Sequence, residues 1–367
     1  MDPMAAQVDE FGPQRLFQYY DSRVPMHAVV VIDTLRFGMT AGGVRMLPDI
    51  SLTEMIRLAR AMTYKFAMLE LPIGGAKAGI WADPQAGNRD AVMAAFLRAI
   101  EPLTSAGTYF PGGDMGTASA DFAALYARAG NVQDLGSQPY DGMLLEDQLT
   151  GYGVVAAARA AVEFDGGRLA DMRVAIEGFG KVGGGAAKFF ARDAARVVAV
   201  STLRGTLYDQ TGLDVTQLLE LRARHGDAVV ERYPHGRLLG REVLFALPVD
   251  ILVPGARPDA INAGNVGPVS ARYIVPAANI PYADGTVAGL HARGSVVVPD
   301  FVSNAGGVLA GVVGLRGGSA EEAFATVRER IEHNVRRVRA RATAERRDPV
   351  SVAIDIARER LRDASGL

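Results

Sequence analysis

The sequence predicts an α/β protein of two domains, the second carrying a parallel, doubly wound sheet. Three observations predict it. The chain has 367 residues, whereas single domains usually run to about 100–200. Its second half alternates strands (RVAIEG, RVVAVS, VDILVPGA, ARYIVPAAN, GSVVVPDF) with helical or mixed stretches, as parallel sheets with helical crossovers do. A glycine-rich strand, turn and helix surrounds residue 178. The expected boundaries are 1–147 for an N-terminal α/β domain, joined by C-terminal helices over 330–367, and 148–329 for the doubly wound domain, with a cleft between them.

The elements follow in order. VVVID, from Val29 to Asp33, reads as a strand, and a glycine-punctuated segment runs on to Met46. Ser51-Leu-Thr-Glu54 is a capping box opening a helix whose apolar residues Leu52, Met55, Ile56, Ala59, Met62 and Phe66 recur at 3–4 spacing. Lys65 lies on the flank of that stripe and is expected to be half buried. LPIGG ends the helix, Lys77 follows in a glycine-rich loop, and AGIWADP reads as a short strand. A helix over 89–103 and a strand over 108–110 lead to a second glycine-rich loop, Pro111 to Thr117, which carries Asp114. The two loops are expected to converge. The seam between domains is placed at 145–153, where YGVVAAARAAVEF begins, and the tail from Ser319 is arginine-rich with a helical period.

Composition narrows the chemistry. A hydrophobic content of 49%, a charged content of 22% and a net charge of −2 leave no basic face for a phosphate backbone, so no nucleic acid partner is expected. There is no apolar leader-like stretch and no apolar run long enough to span a bilayer, which predicts a cytoplasmic protein without membrane contact. With no cysteine, and five histidines (His27, His225, His235, His291, His333) that lack i, i+4 pairing, no metal site is expected. Of the 39 basic residues only Lys65, Lys77, Lys181 and Lys188 are lysine. Arginine stays charged, while a shielded lysine can lose its proton, so the remaining lysines are candidates for acid–base work. Lys188, in a predicted helix, needs no such role.

Gly178-Phe-Gly180-Lys181-Val182-Gly183 follows the strand MRVAIE and opens the helix GGAAKFFAR, the order a dinucleotide turn requires. Gly178 permits the tight turn, Gly180 admits the pyrophosphate, and Gly183 lets helix and strand pack closely, with the phosphates on the helix N-terminus. The next strand should end in an acid that holds the ribose 2′-hydroxyl, but Thr202 stands there, followed by Leu203 and Arg204. NAD or NADP is expected, leaning slightly to NADP because the carboxylate is missing and Arg204 could attract a 2′-phosphate. Given the arginine bias, Arg204 equally suits a solvated loop.

The motifs AGGVRM, MTYK ending at Lys65, LPIGGAK ending at Lys77, GGDMGT with Asp114, TGYGV from Thr150, GFGKVG, PAAN ending at Asn279 and PDFVSNAGGV with Asn304 occur in that order. In them the chain resembles the glutamate/leucine/phenylalanine/valine dehydrogenase family from about Gly38 to Gly311, the leucine/phenylalanine branch most of all. The resemblance implies an N-terminal substrate-binding and oligomerisation domain, a Rossmann-type dinucleotide domain and an active site in the cleft. It further implies reversible oxidative deamination of an L-amino acid to its 2-oxo acid and ammonia, in a homo-oligomer. Lys65 would bind the substrate α-carboxylate, and Lys77 with Asp114 would carry the chemistry. Thr150 would lie near the nicotinamide amide, and Asn279 and Asn304 would touch substrate and cofactor. The family's lysine for a side-chain carboxylate is replaced by Ala41, which disfavours glutamate because its γ-carboxylate would be buried without a partner. Gly112, Val308 and Gly311 correspond to other positions lining the pocket, and such small residues suit an aromatic or large aliphatic substrate.

Three alternatives stay open. A 2-hydroxy acid dehydrogenase would need a histidine–carboxylate pair, and no histidine falls in a candidate loop. The others are a non-redox or regulatory member of the same fold and a glutamate dehydrogenase with an atypical pocket. The first 20 residues and the tail carry no functional reading.

Overall fold

The computed structural model describes residues 8–128 and 135–363. The chain divides into two compact units, Met1–Gln133 with Asp355–Leu367, and Asp134–Ile354. The sequence reading placed these divisions at 147/148 and 329/330. The later division falls at 354/355 because the long helix over Ala320–Glu345 packs along the helix over Leu145–Phe164, with Arg159 on Glu332 (3.0 Å) and Arg336 on Glu163 (3.1 Å). Only the final turns of the last helix belong to the first unit, where Arg360 donates to the carbonyls of Ala67 and Met68.

The first unit holds β1 (Arg15–Asp21), β2 (Met26–Ile32), β3 (Thr40–Met46), α1 (Leu52–Met68), β4 (Gly74–Ile80), α2 (Arg89–Ser105), β5 (Tyr109–Gly113) and the short α3 (Ala123–Arg128). Its sheet has the order β1-β2-β4-β3-β5, with β3 parallel to both β4 and β5. Alternation along the strands separates two faces. Val30, Ile32, Val44, Ala76, Ala78 and Ile80 face the core built with Val92, Met93, Phe96 and Ile100 of α2. The opposite face carries Ala41, Gly43 and Arg45 of β3, Gly75, Lys77 and Gly79 of β4, and Gly112 of β5, and α1 packs against it.

This corrects the reading of LPIGGAK as a loop: Lys77 sits in mid-strand. The glycines are there because α1 needs them. A Cβ at Gly75 would lie 2.3 Å from the Ala59 carbonyl oxygen, and one at Gly79 would lie 2.9 Å from Met55 Sδ. A cluster of glycines that resembles turn chemistry here marks a close helix–sheet approach. Ser51 caps α1 by accepting from the Glu54 amide at 3.1 Å, as the capping box predicts.

The second unit begins with a small hairpin, β6 (Pro139–Tyr140) and β7 (Met143–Leu144), then α4 (Leu145–Phe164), β8 (Arg173–Ile176), α5 (Lys181–Arg192), β9 (Arg196–Thr202) and β10 (Gly205–Tyr208). There follow α6 (Val215–His225), α7 (Val229–Arg232), β11 (Arg237–Leu239), β12 (Ile251–Val253), β13 (Tyr273–Ile274), α8 (Thr286–Ala292), β14 (Val296–Val297), α9 (Asp300–Ser303), α10 (Gly306–Leu315), α11 (Ala320–Glu345) and α12 (Pro349–Asp363). The main sheet has the order β11-β10-β9-β8-β12-β13-β14. Its five strands from β9 to β14 are parallel, as expected, whereas β10 and β11 add an antiparallel edge that the sequence reading did not contain. The chain turns outward in both directions from β8, so the switch point of the sheet lies at its C-terminal end, where ligands bind in doubly wound sheets. No helix among the described residues is long and apolar enough to cross a membrane.

Candidate active site

On the α1 face of the first unit, Lys77 Nζ is in ion-pair contact with Asp114 Oδ2. Arg45 Nε donates to the same carboxylate oxygen at 3.2 Å, and its Nη1 donates to Glu54 Oε1 at 2.5 Å. Local sequence holds Asp114 in place. Thr117 Oγ1 accepts from the Asp114 amide at 3.0 Å and donates to the Val44 carbonyl at 2.7 Å, tying the turn after β5 to β3. Gly116, at φ +79°, is required there because a Cβ would lie 2.0 Å from the Met46 carbonyl oxygen.

Burial, followed by the positive charge of Arg45, pushes the Lys77 ammonium below its ordinary range, although Asp114 opposes this. Burial alone would raise Asp114, but the charges of Lys77 and Arg45 outweigh it and hold the carboxyl far below the usual carboxylate range. The aspartate is therefore firmly charged, and the lysine holds its proton less firmly than a solvated one.

Lys65 is buried at 5% exposure in the last turn of α1, deeper than the half-buried position expected. Ala41 pairs with Phe110, and Gly43 pairs with Gly112, so Ala41, Gly43 and Gly112 share the Lys77 face. A Cβ at Gly112 would meet nothing within 4 Å.

Arg45, Glu54 and Gly43 escaped the sequence reading. AGGVRM was legible as a motif, but read as a glycine-rich segment it had no strand phase to place residue 45 on the face of Lys77. Glu54 had a sufficient reading as the partner of a helix cap. A Cβ at Gly43 would lie 2.9 Å from Asp114 Cβ and 3.2 Å from Lys77 Nζ. Gly43→Ala is therefore expected to lower turnover roughly 100-fold by displacing the pair, because misplacements near 1 Å cost about that much. Its melting temperature should stay near that of the native protein. Initial rates at native levels would refute this.

In the second unit the turn from Gly178 to Gly183 joins β8 to α5. Gly178 has φ +81°, and the Phe179 amide donates to the Ser201 carbonyl at 2.8 Å, fixing the turn to the end of β9. No side chain caps α5 at Gly180, which leaves the amides of Lys181, Val182 and Gly183 for an anion. A Cβ at Gly180 would meet nothing within 4 Å, while one at Gly183 would lie 1.8 Å from the Gly178 carbonyl oxygen. Lys181 is exposed, 3.9 Å from Asp147.

Asn304 and Asn279 come together: Asn304 Nδ2 donates to Asn279 Oδ1 at 3.0 Å and to the Ala278 carbonyl at 3.1 Å. Asn304 Oδ1 is buried with no hydrogen-bond partner. Thr150 Oγ1 spends its proton on the Glu146 carbonyl at 2.9 Å. An acceptor without a donor, an uncapped helix start and the open space at Gly180 fit a dinucleotide with a terminal amide. Thr202 is buried, with its hydroxyl donating to the Asp227 carbonyl at 2.7 Å, and Arg204 stands exposed in the tight connection from β9 to β10. On α10, Val308 is half buried and Gly311 exposed. Among the described residues, no group of three or more histidine, aspartate or glutamate side chains could hold a metal.

Known proteins resemble this chain in sequence and in fold. Residues 142–366 match the Glutamate/Leucine/Phenylalanine/Valine dehydrogenase family, and residues 22–130 match the Glu/Leu/Phe/Val dehydrogenase, dimerisation domain. The glutamate dehydrogenase of Thermotoga maritima is 35% identical over 289 residues, covering 74% of this chain and 68% of the relative. The NADP(+)-dependent glutamate dehydrogenase of Pyrobaculum calidifontis is 33% identical over 286 residues, covering 74% and 68%. The crystal structure of hetero-hexameric glutamate dehydrogenase from Thermus thermophilus, in a leucine-bound form, superposes with a TM-score of 0.84 at 28% identity, covering 98% of this chain and 93% of that one. The chain belongs to the glutamate/leucine/phenylalanine/valine dehydrogenase family and is an NAD(P)-dependent amino acid dehydrogenase.

Proposed function

We propose that the substrate is a bulky apolar L-amino acid, aromatic or large aliphatic, interconverted with its 2-oxo acid and ammonia. The observation that carries this reading is the bare surface at Gly112, where a methyl would meet no atom within 4 Å, beside an Ala41 that offers no cation to a side-chain carboxylate. An apolar side chain gains by covering such a surface, whereas a glutamate γ-carboxylate loses its water without compensation. Val308 and Gly311 are assigned to the same pocket on the resemblance alone.

In this reading Lys65 binds the α-carboxylate, and Lys77 and Asp114 are the catalytic residues. The cofactor, when bound, accepts a hydride from the substrate Cα. The resulting iminium carbon is open to water, and Lys77, as the neutral amine its burial favours, takes the proton from the attacking water. Asp114, ionised at rest, steadies the lysine once it is protonated, takes a proton from it in passing and delivers it to the departing nitrogen as the C–N bond breaks. Gly178, Gly180, Lys181, Val182 and Gly183 hold the pyrophosphate. Thr150, Asn279 and Asn304 orient the amide end, and Thr202 with Arg204 faces the adenine ribose, leaning to NADP. A homo-oligomer in the cytoplasm completes the proposal.

A panel of 2-oxo acids with ammonia and either NADH or NADPH tests the substrate. Phenylpyruvate or 4-methyl-2-oxopentanoate is expected to lead, and a preference for 2-oxoglutarate would overturn the reading. Glutamate is the second reading, favoured by the names of the two relatives above. In Ala41→Lys, an added ammonium on that face should raise kcat/KM for 2-oxoglutarate about tenfold, the order that one charge-assisted hydrogen bond supplies. No gain with that variant would place the side-chain pocket elsewhere.

A further inference from the structure

We infer that Arg45 and Glu54 are positioning residues that set the protonation of Lys77 through Asp114, an inference that rests on Lys77 acting as the base. Four charges of alternating sign lie in line: Lys77, Asp114, Arg45 and Glu54. Their side-chain exposures are 3%, 15%, 5% and 24% in that order, so all four are shielded and Glu54 at the start of α1 is the most open to water. The charged groups facing Lys77 are Arg45 from β3, Asp114 from the turn after β5, and Glu54 from the first turn of α1, with Lys65 buried further along that helix.

The physical need is plain. When Lys77 gives up its proton, Asp114 would become a shielded anion without a counter-ion, at a cost that would forbid the step. Arg45 removes that cost, since a guanidinium cannot itself deprotonate and its Nε stays 3.2 Å from Asp114 Oδ2. Arg45 is in turn held by Glu54, whose amide Ser51 caps and whose charge suits the positive end of α1. Both residues act on Lys77 at a distance, with opposite signs. Loss of the arginine cation favours the ammonium, and loss of the glutamate anion favours the free amine.

Lysine-selective 13Cε NMR of the free protein reads this directly, because the chain has only four lysines and Lys77→Ala assigns the resonance. The Lys77 titration midpoint should move up by about one pH unit in Arg45→Gln and down in Glu54→Gln, and Arg45→Lys should restore most of the first shift. The acid limb of the kcat/KM profile should move the same way. A merely structural role would lower rates without moving the midpoints in opposite directions. If Arg45→Gln does not fold, the partly exposed Glu54 still decides, and a native midpoint in Glu54→Gln overturns the inference. The two readings fail separately: turnover by Lys77→Ala would refute the base itself, whereas an inactive Lys77→Ala with unmoved midpoints would refute only Arg45 and Glu54.

Discussion

Replacing Lys77 by alanine is expected to lower turnover by roughly three orders of magnitude, inside the ~10²–10⁴ range that positioned proton transfer contributes. Nucleotide binding, followed by NAD(P)H fluorescence, should stay within about twofold. The separation follows from chain organisation: Lys77 is on β4 of the first unit, and the nucleotide turn lies between β8 and α5 of the second. Folding should survive too, because Asp114 keeps Arg45 as a partner at 3.2 Å and no anion is stranded. Lys77→Arg sharpens the test. It keeps the positive charge and the ion pair but offers no proton to lose, so it should be almost as inactive as the alanine variant. If Lys77→Arg turned over at near-native rates, Lys77 would serve only as a charge, and the base would have to be sought elsewhere.

What could be read from sequence was local, and what could not was phase and pairing. The glycine-rich turn spans six residues with its glycines at fixed offsets, so the turn and its position at the head of a helix were legible. Lys77 and Asp114 were found as motif members on two segments expected to converge, and they do meet, but through β3, β4 and β5 lying side by side, a pairing that glycine-rich strands conceal. Gly75 read as a turn residue, when its role is to let α1 approach the sheet. Arg45 was hidden for a different reason: in a chain that uses arginine almost everywhere, one more arginine carries no signal until its neighbours are known. The edge strands β10 and β11 have only four and three residues, too short for alternation to announce them. The seam near residue 147 was drawn where helical periodicity began, and the division at 329/330 was drawn because sequence does not show that α11 packs along α4.

Gly183 and Gly180 should fail in different ways when each is replaced by alanine. At Gly183 a Cβ would sit 1.8 Å from the Gly178 carbonyl oxygen and 3.5 Å from Ile176 Cγ2, so the obstacle is backbone that no side-chain rotation relieves. The start of α5 must move off the turn. Overpacking of this kind costs about 1–3 kcal/mol, which corresponds to a melting temperature lower by roughly 5 °C for a unit of this size. The amides of Lys181 and Val182 move with the helix, and NADH and NADPH binding should weaken at least tenfold, or about 1.4 kcal/mol. At Gly180 a Cβ meets nothing within 4 Å, so the free protein should melt at its native temperature. In the proposed cofactor site the methyl would nonetheless occupy the space assigned to the pyrophosphate, and binding should weaken as much as in Gly183→Ala. Equal loss of nucleotide with unequal loss of stability would separate a glycine kept for the ligand from a glycine kept for the fold. Native nucleotide affinity in Gly180→Ala would remove the phosphate from this turn.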